Sequence, residues 1–132
     1  TLTCGNVTFR FVETPGHTVG TVSVFFDYTE DGRTYHAGMF GGAGRGALFE
    51  DNADYYKGSR NDYFKSLARL KEEKVDLFLG NHCWNNNTDE KAAAMEADPG
   101  INPFVDEQEF YRFLDFCEAN VKERMKKEGL EE

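Results

Sequence analysis

Apolar and polar positions alternate from Val7 to Val12, with Val7, Phe9 and Phe11 set against Thr8 and Arg10, which predicts a strand with one strongly apolar face. A loop over Glu13 to Gly20 leads to a second strand, Thr21 to Tyr28, where Val22, Val24 and Phe26 alternate with Ser23, Phe25 and Asp27. The turn Glu30-Asp31-Gly32 joins it to a short third strand, Arg33 to Ala37, completing a meander. Gly38 to Gly46 holds five glycines (Gly38, Gly41, Gly42, Gly44 and Gly46) and predicts a loop that either passes close to something or moves freely at the surface. Ser59 or Asn61 can cap a helix reaching about Glu73, since Tyr63, Phe64, Leu67 and Leu70 recur at helical spacing. Val75 to Leu79 is short and nearly all apolar, the pattern of a strand covered on both faces inside an α/β sheet. Asn81 to Asn87 reads as loop, and Thr88 as the cap of a short helix to about Ala97, stopped by Asp98-Pro99-Gly100. Phe110, Phe113, Leu114, Cys117, Val121 and Met125 then form the stripe of a long amphipathic helix ended by Gly129.

No repeat or linker interrupts these 132 residues, so the expectation is one α/β domain with its own core. Twelve Phe and six Tyr argue against a disordered chain, and no apolar run approaches the roughly 20 residues of a membrane helix. With 15 Lys and Arg against 24 Asp and Glu, the net charge of -9 would repel a phosphate backbone, which argues against nucleic-acid and anionic-lipid partners. Cys4, Cys83 and Cys117 form no CxxC pair and no even framework, which points to a reducing cytoplasmic compartment. One disulfide with a spare thiol would also fit export. Thr1 stands where a full reading frame would have Met, so it is read as internal to a longer protein.

Two of the three histidines directly follow strands. His17 lies in Thr14-Pro15-Gly16-His17-Thr18-Val19-Gly20, where Pro fixes φ and the glycines permit a tight turn that can aim an imidazole off the sheet. His82 lies in Leu79-Gly80-Asn81-His82-Cys83-Trp84-Asn85, past the carboxyl end of the buried strand, where ligand sites of open α/β sheets gather. Taken singly, a histidine is more often a hydrogen-bonded structural residue than a ligand; the surroundings of His17 reverse that weighting. His36 has no such surroundings and reads as a strand residue. Cys83 could be a soft ligand, a reactive thiol or a small packed hydrophobe.

The run Thr14 to Gly20, followed by an apolar strand, resembles the ThrProGlyHisThr-x-Gly motif of the metallo-β-lactamase superfamily. The order of elements is also similar over nearly the whole chain. Asn81, His82 and Asn85 resemble the strand-end Asn-His element of the third subclass of class B β-lactamases. The resemblance implies half of an αββα sandwich, a mixed sheet with helices on one face, corresponding to the C-terminal half of that fold. It implies zinc as cofactor, two ions in the intact family site, with His17 a ligand of the first and His82 of the second. The HisxHisxAspHis motif that supplies the remaining ligands belongs to the other half and is absent. Where family hydrolases carry a bridging carboxylate, and third-subclass lactamases carry serines near substrate, this chain reads Ala37-Gly38-Met39-Phe40-Gly41. Met39, like Asn85 substrate-proximal by the resemblance, cannot bridge two zinc ions or hydrogen-bond a carboxylate, which counts against β-lactams as substrates.

A catalytic zinc needs about three protein ligands and a water. Two histidines serving separate ions fall short, so the isolated chain is expected to bind zinc weakly and to hydrolyse little. As part of a whole enzyme it is expected to act on a small-molecule amide, ester or thioester by metal-hydroxide attack; a thioesterase resembling glyoxalase II is one such parent. Half a sandwich also leaves one sheet face uncovered, either the Val7/Phe9/Phe11 and Val22/Val24/Phe26 face or its opposite. Roughly 600 Å2 of bare apolar surface forfeits on the order of 15 kcal/mol, so a homodimer or a pairing with the missing N-terminal half is expected. The alternative is a non-catalytic homodimeric interaction module with structural histidines.

Overall fold

A computed structural model describes residues 1–49 and 57–130. Five strands form one mixed sheet in sequence order: β1 (Leu2–Cys4), β2 (Val7–Glu13), β3 (Val22–Glu30), β4 (Arg33–Met39) and β5 (Leu77–Phe78). The first four are antiparallel neighbours, and β5 runs parallel to β4. The described residues also form a 3-10 turn, Gly46–Leu48, and four α-helices: α1 (Arg60–Leu70), α2 (Cys83–Asn86), α3 (Thr88–Ala97) and α4 (Glu109–Lys127). None is long and apolar enough to cross a membrane among the described residues.

Register decides which sheet face carries the core. Phe11 lies opposite Val24, and Val24 opposite Met39, so these side chains share a face; Phe9 and Phe26 meet there with ring centroids 5.0 Å apart. That face is open: Phe11 is 47% exposed, and Val7, Phe9, Val24, Phe26 and Met39 are half-buried. The opposite face contributes Val12 and Phe25, which are buried with Tyr63, Leu67 and Leu70 of α1 and Phe110, Phe113, Leu114, Cys117 and Val121 of α4. The described helices therefore cover one face of the sheet and leave the other bare, as expected of half a sandwich. The more apolar alternation in the strands belongs to the uncovered side, because the helices bring most of the oil to the other.

Local chemistry explains the ends. The Ser59 hydroxyl accepts the Asp62 N–H at 3.2 Å and starts α1, and Gly129, at φ 67°, follows the C-cap of α4. Four details depart from the sequence reading. β1 is an added edge strand whose three residues are all exposed, so no burial pattern betrays it. The Asn81 to Asn87 loop contains the single-turn helix α2. Thr88 is the first residue of α3, its hydroxyl spent on Asn86 Oδ1 at 2.6 Å, and the cap is left-handed Asn87. The apolar run Val75 to Leu79 yields a strand of two residues at the sheet's end rather than its interior. Asp76 is the reason: its Oδ1 takes the His36 N–H at 2.7 Å, and its carbonyl accepts from Asp106 N, so a short bridge from Val105 shields β5.

Arg10 on β2 forks onto the Glu73 carboxylate beyond α1, with one bond of 3.0 Å. This hydrogen bond holds the Glu73 carboxyl below its ordinary value of 4.5, outweighing the upward push of burial. A carboxyl depressed in the folded state lends stability above its unfolded pKa and loses it as pH falls through the folded one. The urea midpoint should therefore fall below about pH 4.5, and fall less steeply in Glu73→Gln; equal slopes would deny the pair a role.

Candidate functional site

The β2–β3 connection is a closed knot of short hydrogen bonds. Thr14 N–H donates to the Thr21 carbonyl at 2.9 Å, the Thr14 and Ser23 hydroxyls meet at 2.8 Å, and Thr18 N–H donates to Thr21 Oγ1 at 3.1 Å. Two further bonds fasten it to α1: Ser59 N–H reaches the Gly16 carbonyl at 2.8 Å and the Ser66 hydroxyl the Pro15 carbonyl at 2.7 Å. Gly16 has φ of 142°, and a Cβ there would stand 2.5 Å from Tyr63 Cα. Only glycine lets the loop lie on the helix and turn at that point.

His17 emerges from this knot half-buried, its Nδ1 2.7 Å from the Gly44 carbonyl. A carbonyl only accepts, so Nδ1 carries the proton and the basic nitrogen of the neutral ring is Nε2. A hydrogen bond of this kind fixes tautomer and orientation in histidines that bind metals. The glycine-rich loop after β4 therefore does pass close to something, namely His17: a Cβ on Gly44 would lie 3.1 Å from its Cε1, and one on Gly42 3.0 Å from its Cβ.

His82 follows β5 and is exposed at the start of α2. Its N–H donates to Asn85 Oδ1 at 3.1 Å, and its ring stacks on Trp84 at 6.0 Å with 12° between planes. The same loop is tied to the glycine-rich segment by Asn81 Nδ2, 3.2 Å from the Gly41 carbonyl. One short segment, Gly41 to Gly44, thus anchors both histidine-bearing loops. Asn85 is buried and shapes the backbone of His82; its Nδ2 has no hydrogen-bond partner among the described residues. Met39 ends β4 on the open apolar face, opposite Val24. Cys83 is exposed, whereas Cys117 is buried, and burial pushes its thiol up to about 11. His36 pairs with Asp27 across β3 and β4 at 2.7 Å and takes no part in these loops.

Two imidazoles suit zinc chemically, and the Gly44 carbonyl presents one of them in the right tautomer. They do not complete a site. Among the described residues no group of three or more His, Cys, Asp or Glu could hold a metal ion. The orienting role of Gly44 escaped the sequence reading because it comes from a backbone carbonyl. Arg45 and exposed Trp84 also border these loops, and no periodicity marks either.

No protein-family model matches the chain, and no curated protein does. Solved structures do. The native FEZ-1 metallo-β-lactamase from Legionella gormanii superposes with a TM-score of 0.84 at 25% identity, covering 98% of this chain and 50% of that one. A Cronobacter sakazakii metallo-β-lactamase with a HARLDQ motif gives 0.76 at 27% identity, over 98% and 49%. BJP-1, a subclass B3 metallo-β-lactamase of Bradyrhizobium japonicum, gives 0.79 at 22% identity, over 96% and 47%. The chain spans about half the length of each. With its sheet bare on one side and its motif order that of the second half, it has the fold of the C-terminal half of a metallo-β-lactamase.

Proposed function

We propose that the chain is the C-terminal part of a zinc-dependent hydrolase acting on an amide, ester or thioester, and that a HisxHisxAspHis half completes its site. The observation that carries this reading is the seating of His17: a tightly hydrogen-bonded loop, a glycine at φ 142° and the Gly44 carbonyl combine to fix the ring with its proton on Nδ1. His17 and His82 would each give one donor to a different zinc ion. When bound, zinc polarises a carbonyl and acidifies water towards neutral pH. This chain's residues orient the rest: Gly44 holds the His17 tautomer, Asn81 ties the second loop to the first, and Asn85 fixes the backbone of His82. Met39, a thioether at the end of β4, favours esters and thioesters over substrates whose carboxylate must be hydrogen-bonded there.

Co-expression with the N-terminal half of the Legionella gormanii enzyme tests this. Hydrolysis of a chromogenic thioester should exceed the sum of the separate halves, vanish with chelator and return with zinc. A co-purifying pair with no activity above that sum would sink the proposal.

The open sheet face favours a second reading, a homodimeric interaction module in which two copies cover each other's Phe9, Phe11, Val24 and Phe26. Sedimentation would then show a dimer whose melting ignores zinc.

A further inference from the structure

A groove of about 280 Å3 opens beside the two histidine loops, lined by Arg45, Tyr63, Trp84, Phe116, Cys117 and Asn120. Its walls are aromatic and exposed: Trp84 is 61% and Phe116 56% accessible, unusual values for rings that large. The rings form a chain, with Trp84 6.4 Å from Phe113 and Phe113 stacked 6.5 Å from Phe116. At its near end Trp84 stacks on His82, and Gly44, which holds His17, also lines the groove. Arg45 is its one cation. No side-chain hydrogen bond or ion pair is formed by that guanidinium among the described residues, though Glu123 on α4, which Lys127 holds by a hydrogen bond, also feels its charge. A larger cleft of about 490 Å3 around Arg10, His36 and Lys74 suits an anion less well, because it carries the carboxylates of Asp27 and Glu73 in its own lining, where they pair with His36 and Arg10.

We propose that this groove binds the apolar arm of a small carboxylate, an aryl or branched acyl body lying on Trp84 and Phe116 with its anionic end on Arg45. The volume is just below the range of roughly 300 to 1,000 Å3 usual for ligand pockets, so one ring with a short tether fills it. Aromatic walls supply apolar contact, and the guanidinium matches a carboxylate in charge and in its two-pronged geometry. The chain's net charge of -9 does not forbid this, because salt screens distant charges beyond about 8 Å while Arg45 acts at contact. That such a molecule is the substrate of the neighbouring site rests on the hydrolase reading; occupancy of the groove does not.

Trp84 is the only tryptophan, so its fluorescence reports this groove alone and ignores the open sheet face. In chelator, 4-phenylbutyrate should change the emission saturably and bind several-fold more tightly than 4-phenylbutanol. Arg45→Gln should weaken the acid about 3- to 10-fold and leave the alcohol unchanged. Phe116→Ala, at an exposed position that folding tolerates, should weaken both about 5-fold. No saturable change, or equal affinity for acid and alcohol in both the parent chain and Arg45→Gln, overturns the proposal. Because no metal is present, loss of binding speaks against the groove, whereas inactivity of the zinc-loaded pair speaks against the hydrolase.

Discussion

Gly16→Ala is expected to cost about 2 to 6 kcal/mol and to displace His17 from the Gly44 carbonyl. Two penalties combine. A φ of 142° is a region that an L side chain occupies only with strain of about 1 to 3 kcal/mol. The added methyl would also stand 2.5 to 2.7 Å from Tyr63 Cα, N and Cβ, and a helix backbone cannot step aside as a flexible side chain can; overpacking of this kind costs about 1 to 3 kcal/mol more. Tyr63 is itself buried and donates its hydroxyl to the Ala43 carbonyl at 3.1 Å, so a shift of α1 would drag the glycine-rich loop with it. Urea unfolding should show a lower midpoint at unchanged slope, and the ring resonances of His17 should move. An alanine variant as stable as the parent would mean that the loop is not clamped on the helix.

The position of Gly16 was readable as a motif but not as a contact, and the same division runs through the fold. Elements with a strong period were legible: α4 from its six-residue apolar stripe, and the β2–β4 meander from alternation and the Asp31-Gly32 turn, where Asp31 (φ 51°) and Gly32 (φ 76°) both take positive φ. Alternation could not say which strand face the helices cover. In a sandwich both faces are apolar, and only the register pairing Phe11 with Val24 and Met39 shows that the richer face is the bare one. β5 was overextended because one buried polar residue, Asp76, outweighed four apolar neighbours by taking the His36 N–H. At the site, histidine loops could be found from Pro and Gly context, since these residues restrict backbone shape. The partners that orient them could not, since a carbonyl such as that of Gly44 leaves no mark on residue type.

The open face and the incomplete donor set belong together. A bare apolar sheet face and a pair of loop imidazoles are each unexplained in an isolated domain, and the N-terminal half proposed above would supply both a cover and the other ligands. The groove by Trp84 lies on the helix-covered side, lined by α1, α4 and the loops, so the same half could cover the sheet without filling it.

His17→Ala and Phe110→Ala should therefore fail in opposite ways. In the assembled protein, loss of the His17 imidazole should lower zinc-dependent hydrolysis at least about 100-fold, since even partners that merely orient a ligand are worth roughly 10- to 100-fold. The metal-free chain should lose clearly less than with Phe110→Ala, the half-buried hydrogen bond to Gly44 contributing about 0.5 to 1.5 kcal/mol. Phe110 is fully buried, between Phe78 at 5.3 Å and Phe25 at 6.4 Å, and its removal should open a cavity costing about 3 to 5 kcal/mol. Zinc affinity per folded molecule should then be unchanged, because the rings that Phe110 meets, Phe25, Phe78 and Tyr111, belong to the sheet and to α4. Parallel urea melts and zinc titrations separate the two patterns. If His17→Ala unfolds as readily as Phe110→Ala, then His17 is a structural residue of the loop, and the metal half-site does not exist.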